Sequence, residues 1–398
     1  VIPEPLSPVP VITVCSLDVV LRGSATAGLV CDAPGTVVVQ YDLAATTTSA
    51  RATEACATSA CATGADRSCD GDRSCDGDCH DGQALRRTVF TGTGLLEAVE
   101  VDPGHGCLTC ALLADVPAAL ARLAGQRPEL LVLTLPVAVE PLPVVRAIRN
   151  RAQRLRPSAV VTVADGASFE EDLLGDATLH ERGLAVAEDD ERAVGETLAH
   201  LVEFGDALVT PQALTARTAR LLAHLGMPGR RIRALPLHQV DPWALTGIDR
   251  PPLDPRGDLQ SVTGPGVEDG DGIWTLDLTA DRPVHPGRLL ERIEDLSSGR
   301  LRSRGHLWLA SRPEVACAWD GAGGQLSIGS LGPWSRPPAR TRLIVTGAST
   351  TDRERIAAAF DDVILTATEH RRGAAWWRAR GDELTPWLGE PDDEQLTG

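Results

Sequence analysis

Apolar residues fall into short continuous runs separated by amphipathic stretches, and that alternation predicts the elements. Val11 to Val14 and Thr36 to Tyr41 read as short buried strands rich in β-branched residues, with an ambiguous segment, Cys15 to Asp32, between them. Further on, Asp115 is placed to cap a helix whose inner face carries Leu120 and Leu123. Glu129 to Leu135 is a strand, Pro143 to Leu155 a helix, and Ala159 to Ala164 another strand, closed by Asp165-Gly166. A helix over Arg192 to Phe204 leads into a strand over Ala207 to Thr210. Strands apolar on both faces, with helices between them, predict an α/β domain built on a mostly parallel sheet.

The pattern is interrupted twice. From Ala44 to Gly82 the chain turns to Ala, Thr, Ser, Asp and Cys, which cannot bury a core and predicts a flexible insertion. Proline and glycine from Pro251 to Gly272 predict a linker between a first domain over 1–250 and a second over 273–370, with a tail over 371–398. In the second domain Ile273 to Leu278, His306 to Ala310, Val315 to Trp319, Gln325 to Ile328 and Arg342 to Val345 read as strands. Pro286 to Leu296 and Asp352 to Phe360 read as helices, giving a smaller α+β layer. His285, just before a helix, reads as a capping or packing residue. His306 and Trp308 alternate with Leu307 and Leu309, which predicts one covered strand face and one facing a partner.

Charge and composition narrow the function. A net charge of −17 argues against general binding to nucleic-acid backbones; it leaves room for a local basic patch, but the run Arg146, Arg149, Arg151, Arg154 and Arg156 reads as a solvated helix face. No basic, apolar leader is visible at the start, and the best apolar stretch, Leu130 to Val145, carries three prolines and Glu140. A cytoplasmic protein without membrane association is the expectation, its ten cysteines reduced thiols or metal ligands rather than disulfides. The chain contains no lysine, so a phosphate loop of the usual kind has no ammonium to use. No serine elbow or cysteine–histidine signature of a nucleophilic enzyme is present.

Candidate metal chemistry lies in Gly104-His105-Gly106-Cys107-Leu108-Thr109-Cys110, where two sulfurs three positions apart can turn to one side of a loop. Thiolates so placed suit zinc, whose shell is four N or S ligands, so Cys107 and Cys110 supply half of one. His105 is adjacent. The insertion offers Cys56 and Cys61, then the tandem repeat Asp66 to Gly71 and Asp72 to Gly77 with Cys69 and Cys75, then Cys79 and His80. Cys15, Cys31 and Cys317 sit in apolar surroundings and read as core residues.

These stretches together resemble the CobW family of GTPases and metallochaperones. Gly106 to Cys110 is similar to the family's Gly-Cys-x-Cys-Cys metal motif with Thr109 in place of the middle cysteine, and Val160 to Asp165 to its strand ending in aspartate. Arg282-Pro283-Val284-His285-Pro286-Gly287-Arg288-Leu289, then Arg304 to Pro313, Ala322-Gly323-Gly324 and Gly332-Pro333-Trp334 resemble its C-terminal domain. The resemblance implies a P-loop-GTPase-like α/β domain followed by a CobW C-terminal α+β domain, with zinc as the metal. It further implies a zinc-dependent or ribosome-associated protein client, in the manner of the actinobacterial branch found with zinc-starvation ribosomal proteins and recruitment of a ribosome-hibernation factor.

The nucleotide motifs depart from the family. Its Gly-Lys-Thr loop maps to Cys15 to Thr26, where Arg22, Gly23 and Ser24 occupy the phosphate-loop position for GTP and magnesium, and Asp18 would repel phosphate. Its guanine-reading Asn-Lys-x-Asp maps to Thr210-Pro211-Gln212-Ala213, which carries neither the amide nor the carboxylate. The combination predicts a pseudo-GTPase that binds zinc through thiolates and acts on a protein partner; the alternatives are an active GTP-dependent metallochaperone with an unorthodox phosphate loop, or a metal-independent interaction scaffold.

Overall fold

The structure is a computed structural model describing residues 7–43, 85–101, 108–151, 154–187, 190–226, 233–237, 240–247, 258–335 and 338–389. In chain order the first unit runs β1 (Val9–Ser16), α1 (Val19–Asp32), β2 (Thr36–Leu43), β3 (Leu85–Thr91), β4 (Gly94–Val101), α2 (Leu108–Ala124), β5 (Leu130–Thr134) and α3 (Pro141–Arg151). It continues with β6 (Leu155–Val163), α4 (Phe169–Leu174), α5 (Val194–Phe204), β7 (Ala207–Thr210), α6 (Ala216–Leu225), β8 (Arg233–Pro236) and α7 (Pro242–Thr246). Its eight strands form one sheet in the order β4-β3-β2-β5-β1-β6-β7-β8. All pairings from β2 to β8 are parallel; β3 and β4 add an antiparallel hairpin at one edge.

The central strands are apolar throughout because helices cover both faces. Leu112, Val116 and Leu120 of α2 and Val144, Val145 and Ile148 of α3 pack on Val11, Leu131, Leu133 and Val160. On the opposite face Ala25, Leu29 and Val30 of α1, with Leu245 of α7, pack on Ile12, Val14, Val132 and Val161. This is the doubly wound α/β arrangement.

Several local expectations give way to tertiary context. The ambiguous segment resolves into the end of β1 and the whole of α1. Asp115 is not a cap: α2 begins at Leu108, and from mid-helix Asp115 accepts from Tyr41 Oη at 2.6 Å and pairs with Arg87. Leu155 opens β6, while α3 stops at Arg151. Cys15 and Cys317 are buried as expected, but Cys31 is exposed on α1. Pro117 sits inside α2 and has no N–H for the Leu113 carbonyl; Arg151 Nη1 donates to that carbonyl at 3.0 Å instead. The expected insertion over 44–82 and the first part of the linker lie outside the described residues.

The second unit comprises β9 (Trp274–Ala280), α8 (Pro286–Ser297), β10 (Leu301–Trp308), β11 (Val315–Ala322), β12 (Gln325–Pro333), β13 (Thr341–Gly347), α9 (Thr350–Val363), α10 (Ala367–His370), α11 (Ala374–Arg380) and α12 (Thr385–Leu388). Its antiparallel sheet has the order β12-β11-β10-β13-β9, with Leu289, Ile356 and Phe360 of α8 and α9 packed on Leu307, Trp319 and Val345. His285 caps α8, its Nδ1 accepting from Arg288 N at 3.2 Å. Gly305 is dictated by close approach, since a Cβ there would stand 2.0 Å from the Arg342 carbonyl oxygen. Residues 371–389, expected as the start of a tail, carry α11 and α12. There Trp377 and Leu384 are buried, and Arg312 pairs at 2.9 Å with Asp382, whose carboxylate is fully enclosed.

Candidate functional site at the strand ends and the domain seam

In a parallel sheet the carboxyl ends of the strands, at the point where strand order reverses, are the natural ligand site. Here that point is the β1–α1 junction. β1 ends at Ser16 and α1 starts at Val19, so Leu17 and Asp18 are the whole connection. Ser16 Oγ donates to Val163 O at 2.7 Å and accepts from Asp18 N at 2.9 Å. Asp18 Oδ1 then accepts from Val20 N at 2.7 Å and Leu21 N at 2.9 Å. The amides at a helix N-terminus form an anion site. At α1 the anion is the protein's own carboxylate.

The residues expected at the phosphate-loop position lie within α1. Arg22 is 2 % exposed, ion-paired with Asp42 of β2 and donating to the Leu135 carbonyl. Gly23 and Ser24 are on the exposed helix surface, and Ser24 Oγ donates to Val20 O at 2.9 Å. At the guanine-reading position Thr210 Oγ1 donates to Gln212 O at 2.5 Å, which closes that turn on itself.

A cleft of about 220 Å³ opens beside the junction between Leu17, Asp18 and Leu21 on one side and Asp165, Asp172 and Leu198 on the other. Asp172 is ion-paired with Arg182 and accepts from Ser168 Oγ at 2.6 Å; Asp165 accepts from Ala167 N at 2.9 Å. Its charged lining is thus three carboxylates and one guanidinium that is already paired.

Of the expected metal ligands, Cys110 is described. It is exposed in the first turn of α2, at the strand-end side of the sheet. His105, Cys107, Cys69, Cys75, Cys79 and His80 lie outside the described residues, as do Cys56 and Cys61. Among the described residues no group of three or more His, Cys, Asp or Glu could hold a metal ion. Burial pushes the Cys317 thiol up to about 12 and raises that of Cys15 further, so both are protonated core thiols rather than ligands.

A second polar cluster joins the two units and was not foreseen in the sequence. Glu203 on α5 accepts from Arg302 Nε at 2.7 Å and Nη2 at 2.8 Å, and pairs with Arg304 at 2.9 Å. Arg302 also pairs with Asp320 of β11. His200, one turn earlier on α5, bonds Glu140 through Nδ1 at 2.9 Å and Asp320 through Nε2 at 3.0 Å. Burial disfavours a charged ring, but the bonds and charges of Asp320 and Glu140 outweigh it and hold the His200 pKa up at about 10. Burial likewise opposes ionisation of Glu203, and Arg302 and Arg304 overcome it and keep its pKa low. Next to this cluster the β11–β12 turn meets the start of α5. A Cβ on Gly323, at φ +60°, would stand 2.7 Å from Ala193 Cβ.

The strand face expected to meet a partner is covered within the chain. His306 is 3 % exposed, its Nδ1 bonds Leu259 O at 2.8 Å, and its ring lies 5.7 Å from that of Trp334. The available signal for the seam was the period-two series Arg302, Arg304, His306 on one strand face, opposite His200 and Glu203 three apart on a helix.

Residues 273–364 match the family model described as the cobalamin synthesis protein cobW C-terminal domain. The chain is 25% identical over 337 residues to a zinc-regulated GTPase metalloprotein activator of Dictyostelium discoideum, covering 73% of this chain and 70% of that one. It is 30% identical over 280 residues to a zinc chaperone of Mycobacterium tuberculosis, covering 64% of this chain and 66% of that one. Among solved structures, the zinc-bound YjiA GTPase of E. coli aligns over 90% of this chain and 100% of that one, with 14% identity and a TM-score of 0.33.

Proposed function

We propose, from the premise that this chain belongs to the CobW family, that it serves zinc homeostasis as a metal-handling protein acting on a protein client without a GTPase cycle. Two relatives are named for zinc, one as a regulated activator of metalloproteins and one as a chaperone, which supports zinc as the cargo and a protein as the recipient.

The observation that carries the absence of a cycle is the β1–α1 junction. Two residues connect the strand to the helix, which leaves no loop to wrap a phosphate, and the first-turn amides are bonded to Asp18. A nucleotide would have to displace a carboxylate held by two hydrogen bonds and enter a cleft lined by Asp165 and Asp172. Arg22 offers no compensation, being committed to Asp42. The residues present do not fit a nucleoside triphosphate with magnesium. For zinc, Cys110 is the described donor; with Cys107 it would supply two thiolates, whose affinity falls as protons compete at low pH.

Calorimetric titration with GTP and magnesium, with and without zinc, tests the reading. The expected result is no binding heat in either condition, together with zinc binding that weakens when Cys107 and Cys110 are both replaced by Ala. Saturable GTP binding at micromolar affinity would overturn the pseudo-GTPase. Zinc titration unaffected by the double substitution would overturn the metal assignment and leave an interaction scaffold.

A further inference from the structure

The chain carries a net charge of −17, yet one surface of the second unit is basic. Arg371, Arg372, Arg378 and Arg380 are all exposed on α11 and the turn before it. Most charges around them are mutually satisfied: Arg378 pairs with Glu314, Arg312 with Asp382, and Arg288 with Glu369. Among the described residues Arg371, Arg372 and Arg380 have no carboxylate in ion-pair reach; Arg371 donates to Thr368 Oγ1 at 3.0 Å.

Two of these guanidiniums are held in place rather than left free. Arg372 Cζ stands 4.5 Å from the centre of the Trp376 ring and Arg380 Cζ 5.0 Å from it, so the two cations are separated by no more than those distances together. Trp376 is itself fixed edge-on against buried Trp377 at 4.8 Å between centroids. A guanidinium laid on an aromatic face keeps its N–H fork free at the edge, and it loses less side-chain freedom when a ligand binds.

We infer that Arg371, Arg372 and Arg380, ordered on Trp376, form a docking site for a short acidic peptide segment of a protein partner, its carboxylates taken by the guanidinium forks. Charge complementarity selects the ligand sign, and the surroundings select its class. A nucleic-acid strand would need a continuous basic track, and here Glu314, paired with Arg378, and Glu369, whose carbonyl accepts from Trp377, border the patch. Its bases would also need a bare aromatic face, and that of Trp376 is occupied by arginine. A few carboxylates on an extended segment meet neither obstacle. The inference gives the client of the proposed function a chemistry, and its test reads neither zinc nor nucleotide, so the two stand or fall separately.

Fluorescence anisotropy of the full chain with a labelled short poly-glutamate peptide, and in parallel with a single-stranded RNA oligomer, measures it. The expected result is saturable peptide binding that weakens with salt and falls at least tenfold in R372E/R380E. Trp376→Ala should weaken binding with both charges retained, and Arg378→Ala, whose partner is Glu314, should leave it unchanged. Equal peptide binding by R372E/R380E, or tight binding of RNA without peptide, would overturn the inference. Binding that emerges only on removal of residues 390–398 would give the patch to the chain's own acidic terminus and overturn it as well.

Discussion

Glu203 is the position at which the domain seam can be tested quantitatively. Three carboxylates, Glu140, Glu203 and Asp320, pair here with three cations, His200, Arg302 and Arg304, so the paired groups balance in charge, with Glu203, Arg302 and Arg304 the most deeply buried of them. Glu203→Gln keeps the side-chain shape and removes one charge, leaving an unmatched cation among side chains of Arg302 and Arg304 that are only 3% and 5% exposed. Breaking a buried ion pair from one side costs about 3–5 kcal/mol. At roughly 2–4 °C per kcal/mol for a domain of this size, the melting temperature should fall by about 6–20 °C. Differential scanning calorimetry reads the fall, and the expected outcome is one transition for wild type and two for the variant as the units uncouple.

The sharper arm is the double variant E203Q/R304M. It removes one charge of each sign and restores neutrality, so it should be more stable than E203Q alone although it also loses the Arg304 bond to Leu225 O at 2.9 Å. A double variant less stable than E203Q, with the two losses simply adding, would refute charge balance as the source of the cost. It would assign the effect to individual hydrogen bonds.

Three further outcomes follow from single sites. His200 has its folded pKa raised to about 10, above its unfolded value. The stability it supplies is therefore full below about pH 6.5 and lost as pH rises toward 10, by up to about 1.4 kcal/mol per pH unit; denaturant midpoints of wild type and His200→Gln should converge across that window. Asp18→Ala should cost about 1 kcal/mol as a lost helix cap and make the melting temperature rise with added inorganic phosphate, which wild type should not show. Gly305→Ala, with its Cβ 2.0 Å from a carbonyl oxygen, should cost about 3 kcal/mol or more, read in the same melts.

Sequence reasoning reached the parallel sheet and the α+β layer because buried strands such as Leu130–Thr134 announce themselves by unbroken apolar runs. It missed what tertiary contacts decide. Asp115 has the right type for a cap, yet Tyr41 and Arg87 arrive from strands distant in sequence and claim it in mid-helix. α1 was ambiguous because its first turn exposes Val19 and Val20 and it buries Arg22, the reverse of an amphipathic pattern. At the site, the missing lysine was legible; the length of the β1–α1 connection was not, because that depends on where the helix starts. The seam escaped because each member looks like an ordinary surface charge until two sheets and a helix bring them together.

α5 gives the strand-end cleft and the seam a common wall. Val194 and Leu198 line the cleft from one side of the helix, while His200 and Glu203 bond the second unit from the other. Glu140, on the β5–α3 connection at the same end of the sheet, shares His200 with Asp320. A shift of α5 large enough to admit a bulky ligand would have to lengthen the charged contacts of Glu203 with Arg302 and Arg304, 2.7 to 2.9 Å between largely buried side chains, a cost of several kcal/mol. Filling the junction with Asp18 and riveting α5 to the second sheet thus act in the same direction. The first closes the junction and the second fixes α5 against the second unit; under the proposed function no nucleotide has to move either, since a nucleotide cycle would need at least two arrangements of comparable energy.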